Sequence, residues 1–289
     1  MEMALAAPLC RSSFKRNGFV ICEKFIAKQT ADKLNQRLER ILQGHHSDGN
    51  IASRPDKAPS PVKNSNTKSK KTLQVVNIWK ADRAFADIVT SRELGKIVAY
   101  LGNWKGARIA NDQVWCKPPG AAALTFHRDS AYFDFEPNHV ITVWIALDDM
   151  DPEVGPLRYV HGSHLWGGGR VGSASLFFGK GQKSTYSMLY DAARRQGISN
   201  PEAELEFTTV GVRAGGMAIH DGLTWHGSEK NNSDTNPRRG LGIHFIPSDA
   251  RLRVPHGKSI AHGVMASMGG SSCHLCAEHF PVTYEYSEE

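Results

Sequence analysis

Thr125-Phe126-His127-Arg128-Asp129 sets an imidazole and a carboxylate two residues apart. In an extended segment, side chains at i and i+2 share a face, with Cα atoms roughly 6.5–7 Å apart. His127 and Asp129 can then occupy two corners of one face of a metal ion. A third corner is offered far downstream by His226, in Thr224-Trp225-His226-Gly227-Ser228. Two His and one carboxylate on one octahedral face, with open positions opposite, form the facial triad of non-haem Fe(II) oxygenases. His220, six residues before His226, is a competing imidazole. Three ligands are already assigned without it, and a turn at Asp221-Gly222 separates it from His226, so it is read as a non-ligand. A His-x-Asp alone is commonplace, so its meaning rests on the elements that position it.

The chain has 289 residues, 40% hydrophobic and 22% charged. That is enough to bury a core, and it excludes wholesale disorder. No run of about 18 apolar residues is present, which argues against a membrane span. Met1–Cys10 lacks a basic leader, and the ending Tyr286-Ser287-Glu288-Glu289 is no peroxisomal address, so a cytoplasmic location is expected. The net charge of +6 is modest and suits an anionic small molecule; it is no nucleic-acid footprint. Five cysteines without a secretion signal imply reduced thiols. Cys273-x-x-Cys276-x-x-His279 lacks the second ligand pair that a structural zinc site needs, and reads as free thiols on a flexible C-terminal segment.

Several elements can carry the three residues. Phe14–Asn17 reads as a helical turn, Gly18 as a break and Phe19–Cys22 as a strand. Thr30-Ala31-Asp32 caps a predicted helix to about Gln43, with Ala31, Leu34, Leu38, Ile41 and Leu42 at helical spacing. Residues 45–71 are rich in Ser, Pro, Asn and Lys, without interleaved aromatics, and read as a mobile basic loop. Leu73–Trp79 reads as a strand, and 85–89 and 92–101 as helices. Strands follow at 107–117, 139–147, 157–160, 207–212, 217–220 and 238–246, with a helix at 184–197. The apolar, β-branched run at 139–147 suits a strand buried on both faces. Many strands at short spacing, helices mainly at the start and no βαβ alternation predict one domain over residues 1–289, a β-sandwich or barrel with flanking helices.

The order and spacing of Lys117-Pro118-Pro119-Gly120, His127-Arg128-Asp129, Trp144-Ile145-Ala146-Leu147-Asp148-Asp149, Gly155-Pro156-Leu157, Gly162-Ser163-His164 and His226-Gly227-Ser228 resembles the phytanoyl-CoA dioxygenase family of iron- and 2-oxoglutarate-dependent oxygenases. The resemblance implies a double-stranded β-helix, a cupin-like jelly roll. It implies that His127, Asp129 and His226 hold Fe(II), that 2-oxoglutarate chelates the iron, and that O2 enters the remaining position as succinate and CO2 are produced. The family places an Arg about a dozen residues after the second His to pair with the far carboxylate of the oxoacid. Arg238 and Arg239 compete for that role. Arg238 shares a strand face with Gly240, Gly242 and His244, which suits a cavity lining. Arg239 shares one with Leu241, Ile243 and Phe245, which suits packing, so Arg238 is selected. Ser228 matches a position that contacts the same carboxylate.

The sequence departs from the family pattern at two places. Asn111 stands where members often have Gln, with Gln113 farther along the same face, and both are cosubstrate-contact candidates. Arg128 replaces a frequent Gln between the ligands. Tyr132, Phe133 and Trp144 are candidates for lining a substrate pocket. The expected reaction is hydroxylation of a small molecule by a monomer or homodimer. Desaturation, epoxidation or ring closure at the same iron is the alternative, and a non-catalytic jelly-roll binding protein is the alternative of another class. Halogenation is disfavoured because Asp129 fills the place that a halide would need.

Overall fold

The structure, a computed structural model, describes residues 7–45, 71–167, 185–252 and 275–287. Helix α1 (Ala7–Asn17) ends at Gly18, whose φ of 86° turns the chain into strand β1 (Phe19–Cys22). Helix α2 (Lys28–Leu42) buries Ala31, Leu34, Leu38 and Ile41, the stripe predicted from spacing. Its start differs from the prediction: Ala27 is the N-cap, without a side-chain bond, and Thr30 lies inside the first turn.

Strand β2 (Leu73–Val76) is shorter than expected. Asn77 takes a left-handed conformation (φ 55°), and Ile78–Lys80 forms a 3-10 turn, so the apolar pattern to Trp79 is not all strand. Helices α3 (Arg83–Val89) and α4 (Arg92–Gly102) are capped by the side chains of Asp82 and Ser91.

Then come β3 (Gly106–Lys117), β4 (Leu124–His127), β5 (Phe135–Glu136), β6 (Ile141–Ala146), β7 (Leu157–Val160), α5 (Ser187–Arg195), α6 (Pro201–Glu204), β8 (Phe207–Thr209), β9 (Met217–Asp221), β10 (His226–Ser228), β11 (Arg238–Pro247), β12 (Arg251–Leu252) and β13 (Val282–Glu285). The last two, beyond the expected final strand, were not legible as strands.

Seven strands form the larger sheet, in the order β1-β9-β6-β11-β3-β13 with β2 also on β3; four form the smaller, β4-β10-β7-β8. The pairings within both sheets are antiparallel, and the two layers make the jelly roll. Leu241, Ile243 and Phe245 of β11 pack on the outer side with Leu34, Leu38, Phe85, Leu94 and Val98 of the helices. On the inner side Phe19, Trp144, Ala146 and Ala218 of the larger sheet meet Leu157 and Tyr159 of the smaller. All six residues of β6 are buried, as its continuous apolar run requires. The basic stretch, at 46–70, lies outside the described residues, as does Cys273.

Candidate active site

The strand pairing makes a row across the larger sheet. Asn111 faces His244, His244 faces Thr142, Thr142 faces His220, and His220 faces Phe19. On the smaller sheet His226 of β10 is paired directly with His127 at the end of β4. Asp129 follows in a 3-10 turn and sits between the two layers. The ligand atoms of His127, Asp129 and His226 all lie within 4.8 Å of one another and are buried. Asp129 Oδ1 is 3.6 Å from His127 Nε2 and 3.5 Å from His226 Nε2. Ligands held about 2.1 Å from one metal at right angles stand about 3 Å apart, so a small contraction would bring these three into a coordination sphere.

Each imidazole is turned by its other nitrogen. His127 Nδ1 is 2.8 Å from the Thr125 carbonyl and His226 Nδ1 is 3.0 Å from the Thr224 carbonyl. A carbonyl only accepts, so both Nδ1 atoms carry a hydrogen, and both Nε2 atoms face Asp129, where a bound metal would take their lone pairs. Burial, and next the neighbouring His127, push the His226 imidazole well below its ordinary value, toward the neutral form a metal needs. Burial would push the Asp129 carboxyl up. The imidazoles of His226, His127, His220 and His244 outweigh it and hold Asp129 well below the carboxylate range.

The other oxygen of Asp129 is occupied. Oδ2 accepts from Thr142 Oγ1 at 2.6 Å and from His220 Nε2 at 3.0 Å, and His244 Nε2 is 3.6 Å away. His220 Nδ1 lies 3.0 Å from the buried Tyr159 hydroxyl, so a Tyr159–His220–Asp129 chain runs between the sheets. His220 thus lies outside the candidate triad and is a direct partner of Asp129. The contact is not legible in the sequence, because it depends on how β9 lies across from Asp129.

Arg238 is buried, and its Nη2 donates to Ser228 Oγ at 3.2 Å. Arg239 points the other way and forms a forked pair with Asp148, at 2.7 and 2.9 Å. Lys117, which sequence reasoning passed over, is opposite Arg238 and donates to the same Ser228 Oγ at 3.0 Å. Its signal was present in Lys117-Pro118-Pro119-Gly120, but the residue facing it could not be read from the sequence. Gln113 accepts from Gln74. Both side-chain polar atoms of Asn111 and Nδ1 of His244 are buried without a hydrogen-bond partner among the described residues. Tyr132 stands 5.9 Å from His127, and Phe133 5.0 Å from His244, between ring centres. Trp144 packs against Gly240, where a Cβ would collide with its indole. Arg128 donates to the carbonyls of Ser163 and Trp166, an anchor for the turn at 163–166. His279 pairs with Lys80 at 3.0 Å.

The donor set fits a divalent first-row metal, and the buried guanidinium of Arg238 beside Ser228 has the chemistry to pair with a carboxylate. The family model "Phytanoyl-CoA dioxygenase (PhyH)" matches residues 14–240, most of the chain. The chain belongs to the phytanoyl-CoA dioxygenase family. It is an iron- and 2-oxoglutarate-dependent dioxygenase, which decides between the enzyme and the non-catalytic alternative. A Caenorhabditis elegans phytanoyl-CoA dioxygenase domain-containing protein 1 homolog is 24% identical over 269 residues, covering 82% of this chain and 89% of that one. A probable alpha-ketoglutarate-dependent hypophosphite dioxygenase of Stutzerimonas stutzeri is 26% identical over 238 residues, covering 81% and 76%. Among solved structures, the epimerase SnoN in complex with Fe3+, alpha ketoglutarate and nogalamycin RO superposes with a TM-score of 0.68 at 18% identity, over 96% of this chain and 99% of that one. That likeness shows the jelly-roll fold of this family member.

Proposed function

We propose that this dioxygenase hydroxylates a small organic molecule at an Fe(II) held by His127 Nε2, Asp129 Oδ1 and His226 Nε2. The observation that carries the reading is the convergence of these three buried atoms with both imidazole tautomers fixed by backbone carbonyls. When bound, the iron and 2-oxoglutarate supply the oxygen chemistry, with succinate and CO2 as co-products. Every other task falls to this chain. Thr142 and His220 occupy Asp129 Oδ2, so one carboxylate oxygen is left for the metal. Arg238 and Ser228 receive the far carboxylate, for which a guanidinium offers a fork of donors. Asn111 and Gln113 line the inner face of β3 between that pocket and the triad, and Asn111 keeps free donors and acceptors for the cosubstrate. Tyr132, Phe133 and Trp144 shape and dry the space where substrate is oxidised.

Succinate formation from 2-oxoglutarate under air tests the reading. His127→Ala, Asp129→Ala and His226→Ala should each abolish it. Full turnover in any one of them would remove that residue from the site. Product analysis with a true substrate separates hydroxylation from desaturation, epoxidation and ring closure.

A further inference from the structure

Lys117 ends β3 directly opposite Arg238 of β11. Directly opposed like charges repel, and these two are 1% and 3% exposed. Among the described residues neither has a carboxylate as its bonding partner. Both donate to Ser228 Oγ, and Lys117 also donates to the Glu229 carbonyl. The Glu229 side chain is turned away, accepting from Arg158 Nη1 at 3.1 Å and from the Tyr186 hydroxyl. An ammonium has three N–H donors, so two bonds leave one over on Lys117. Nε of Arg238 is buried without a partner as well. Two buried cations sharing one neutral hydroxyl, each with an N–H to spare, make a pocket built for an anion.

We propose that Lys117 is a second binding residue for the oxoacid, donating with Arg238 to its far carboxylate, so that the pocket selects a 2-oxo diacid over a 2-oxo monoacid. The proposal rests on the reading of the site as an iron and 2-oxoglutarate centre.

The charge of the pocket supports it. Burial, and then the Arg238 charge, lower the Lys117 ammonium to about 7, while Glu229 draws it back up. Burial lowers Arg238 to about 10, so Arg238 stays charged near neutral pH. An arriving carboxylate favours the charged form of Lys117. Above pH 7 its binding therefore takes up a proton.

Anaerobic titration calorimetry on metal-loaded protein tests this, with 2-oxoglutarate and with 2-oxovalerate, which carries a methyl in place of the far carboxylate. Lys117→Met should weaken 2-oxoglutarate by about tenfold or more and leave 2-oxovalerate unchanged, the loss expected for one charge-assisted bond. Lys117→Arg, which keeps the charge, should retain part of the preference. Arg239→Ala, outside the pocket on Asp148, should bind both oxoacids as the wild type does. At pH 8, in buffers of different ionisation heat, the wild type should take up close to one proton with 2-oxoglutarate and none with 2-oxovalerate, and Lys117→Met should take up none with either. Equal weakening of both oxoacids, or none, in Lys117→Met would overturn the proposal and leave Lys117 as a strut for the Glu229 carbonyl. If the metal-loaded wild type binds neither oxoacid, the reading of the whole site fails, and this inference with it.

Discussion

Asp129 has two oxygens with different work. Oδ1 faces the two imidazoles, and Oδ2 is held by Thr142 and His220. A carboxylate so tied presents a single donor, and a facial triad of single donors leaves three of six positions open. Thr142→Val and His220→Ala should therefore each weaken iron binding, by about tenfold or more, the usual effect of losing an outer partner of a metal ligand. His220→Gln, which keeps an N–H near Oδ2, should recover part of the affinity. Competition against a fluorescent chelator measures this without turnover. Wild-type affinity in both Thr142→Val and His220→Ala would show that Asp129 needs no such hold. At this scale the sequence was informative where chemistry is local. His127-x-Asp129 is a two-residue pattern, and alternation along one strand put Arg238 and Arg239 on opposite faces, as they are. It was silent where partners come from different strands: Thr142, His220 and Lys117 acquire their neighbours only through pairing of β3, β6, β9 and β11.

β3 carries polar residues on its outward side as well. Asp112 is fully buried there, and its Oδ2 accepts from the Ile78 amide at 3.1 Å, tying β3 to the 3-10 turn after β2. Burial pushes its carboxyl up from 3.8 to about 8; the Trp79 and Ile78 amides and the Lys80 charge only partly oppose this. The folded value lies above the unfolded one, so the folded chain holds the proton more tightly. The stabilisation is complete below pH 4 and is lost as pH rises through 8. Relative to Asp112→Asn, which cannot ionise, the wild type should lose about 1 kcal/mol per pH unit across that window. Thermal melts of both proteins from pH 5 to 9 check it; parallel profiles would mean that Asp112 is charged in the fold. Elements with a long regular pattern were legible, as in the stripe of α2 and the apolar run of β6. β2 was over-read because Val75, Val76 and Ile78 alternate past the point where Asn77 turns the backbone. β12 and β13 were missed because they are short, two and four residues, too few to show an alternating pattern.

For the molecule as a whole, strand density and the absence of βαβ alternation pointed to a β-sandwich or barrel, and the resemblance supplied the jelly roll. Strand order was not readable, since β1 pairs with β9 and β3 with β11 and β13, across most of the chain. The two sheets place the ligands separately. The smaller brings His127 and His226 side by side, and the larger supplies the row beside Asp129 and the opposed pair Lys117 and Arg238, the proposed oxoacid pocket. Among the described residues no helix is long and apolar enough to cross a membrane. On the proposed reading, both halves of this interior assemble a single iron and oxoacid centre. Anaerobic titration of the protein with Fe(II) and 2-oxoglutarate, followed by visible absorption, tests it most directly, because an oxoacid chelated to Fe(II) gives a charge-transfer band that neither component has alone. The predicted result is a band saturating at one iron per chain, absent from Asp129→Ala and His226→Ala. A wild-type protein that gives no band, or an unchanged band in both variants, would contradict the account.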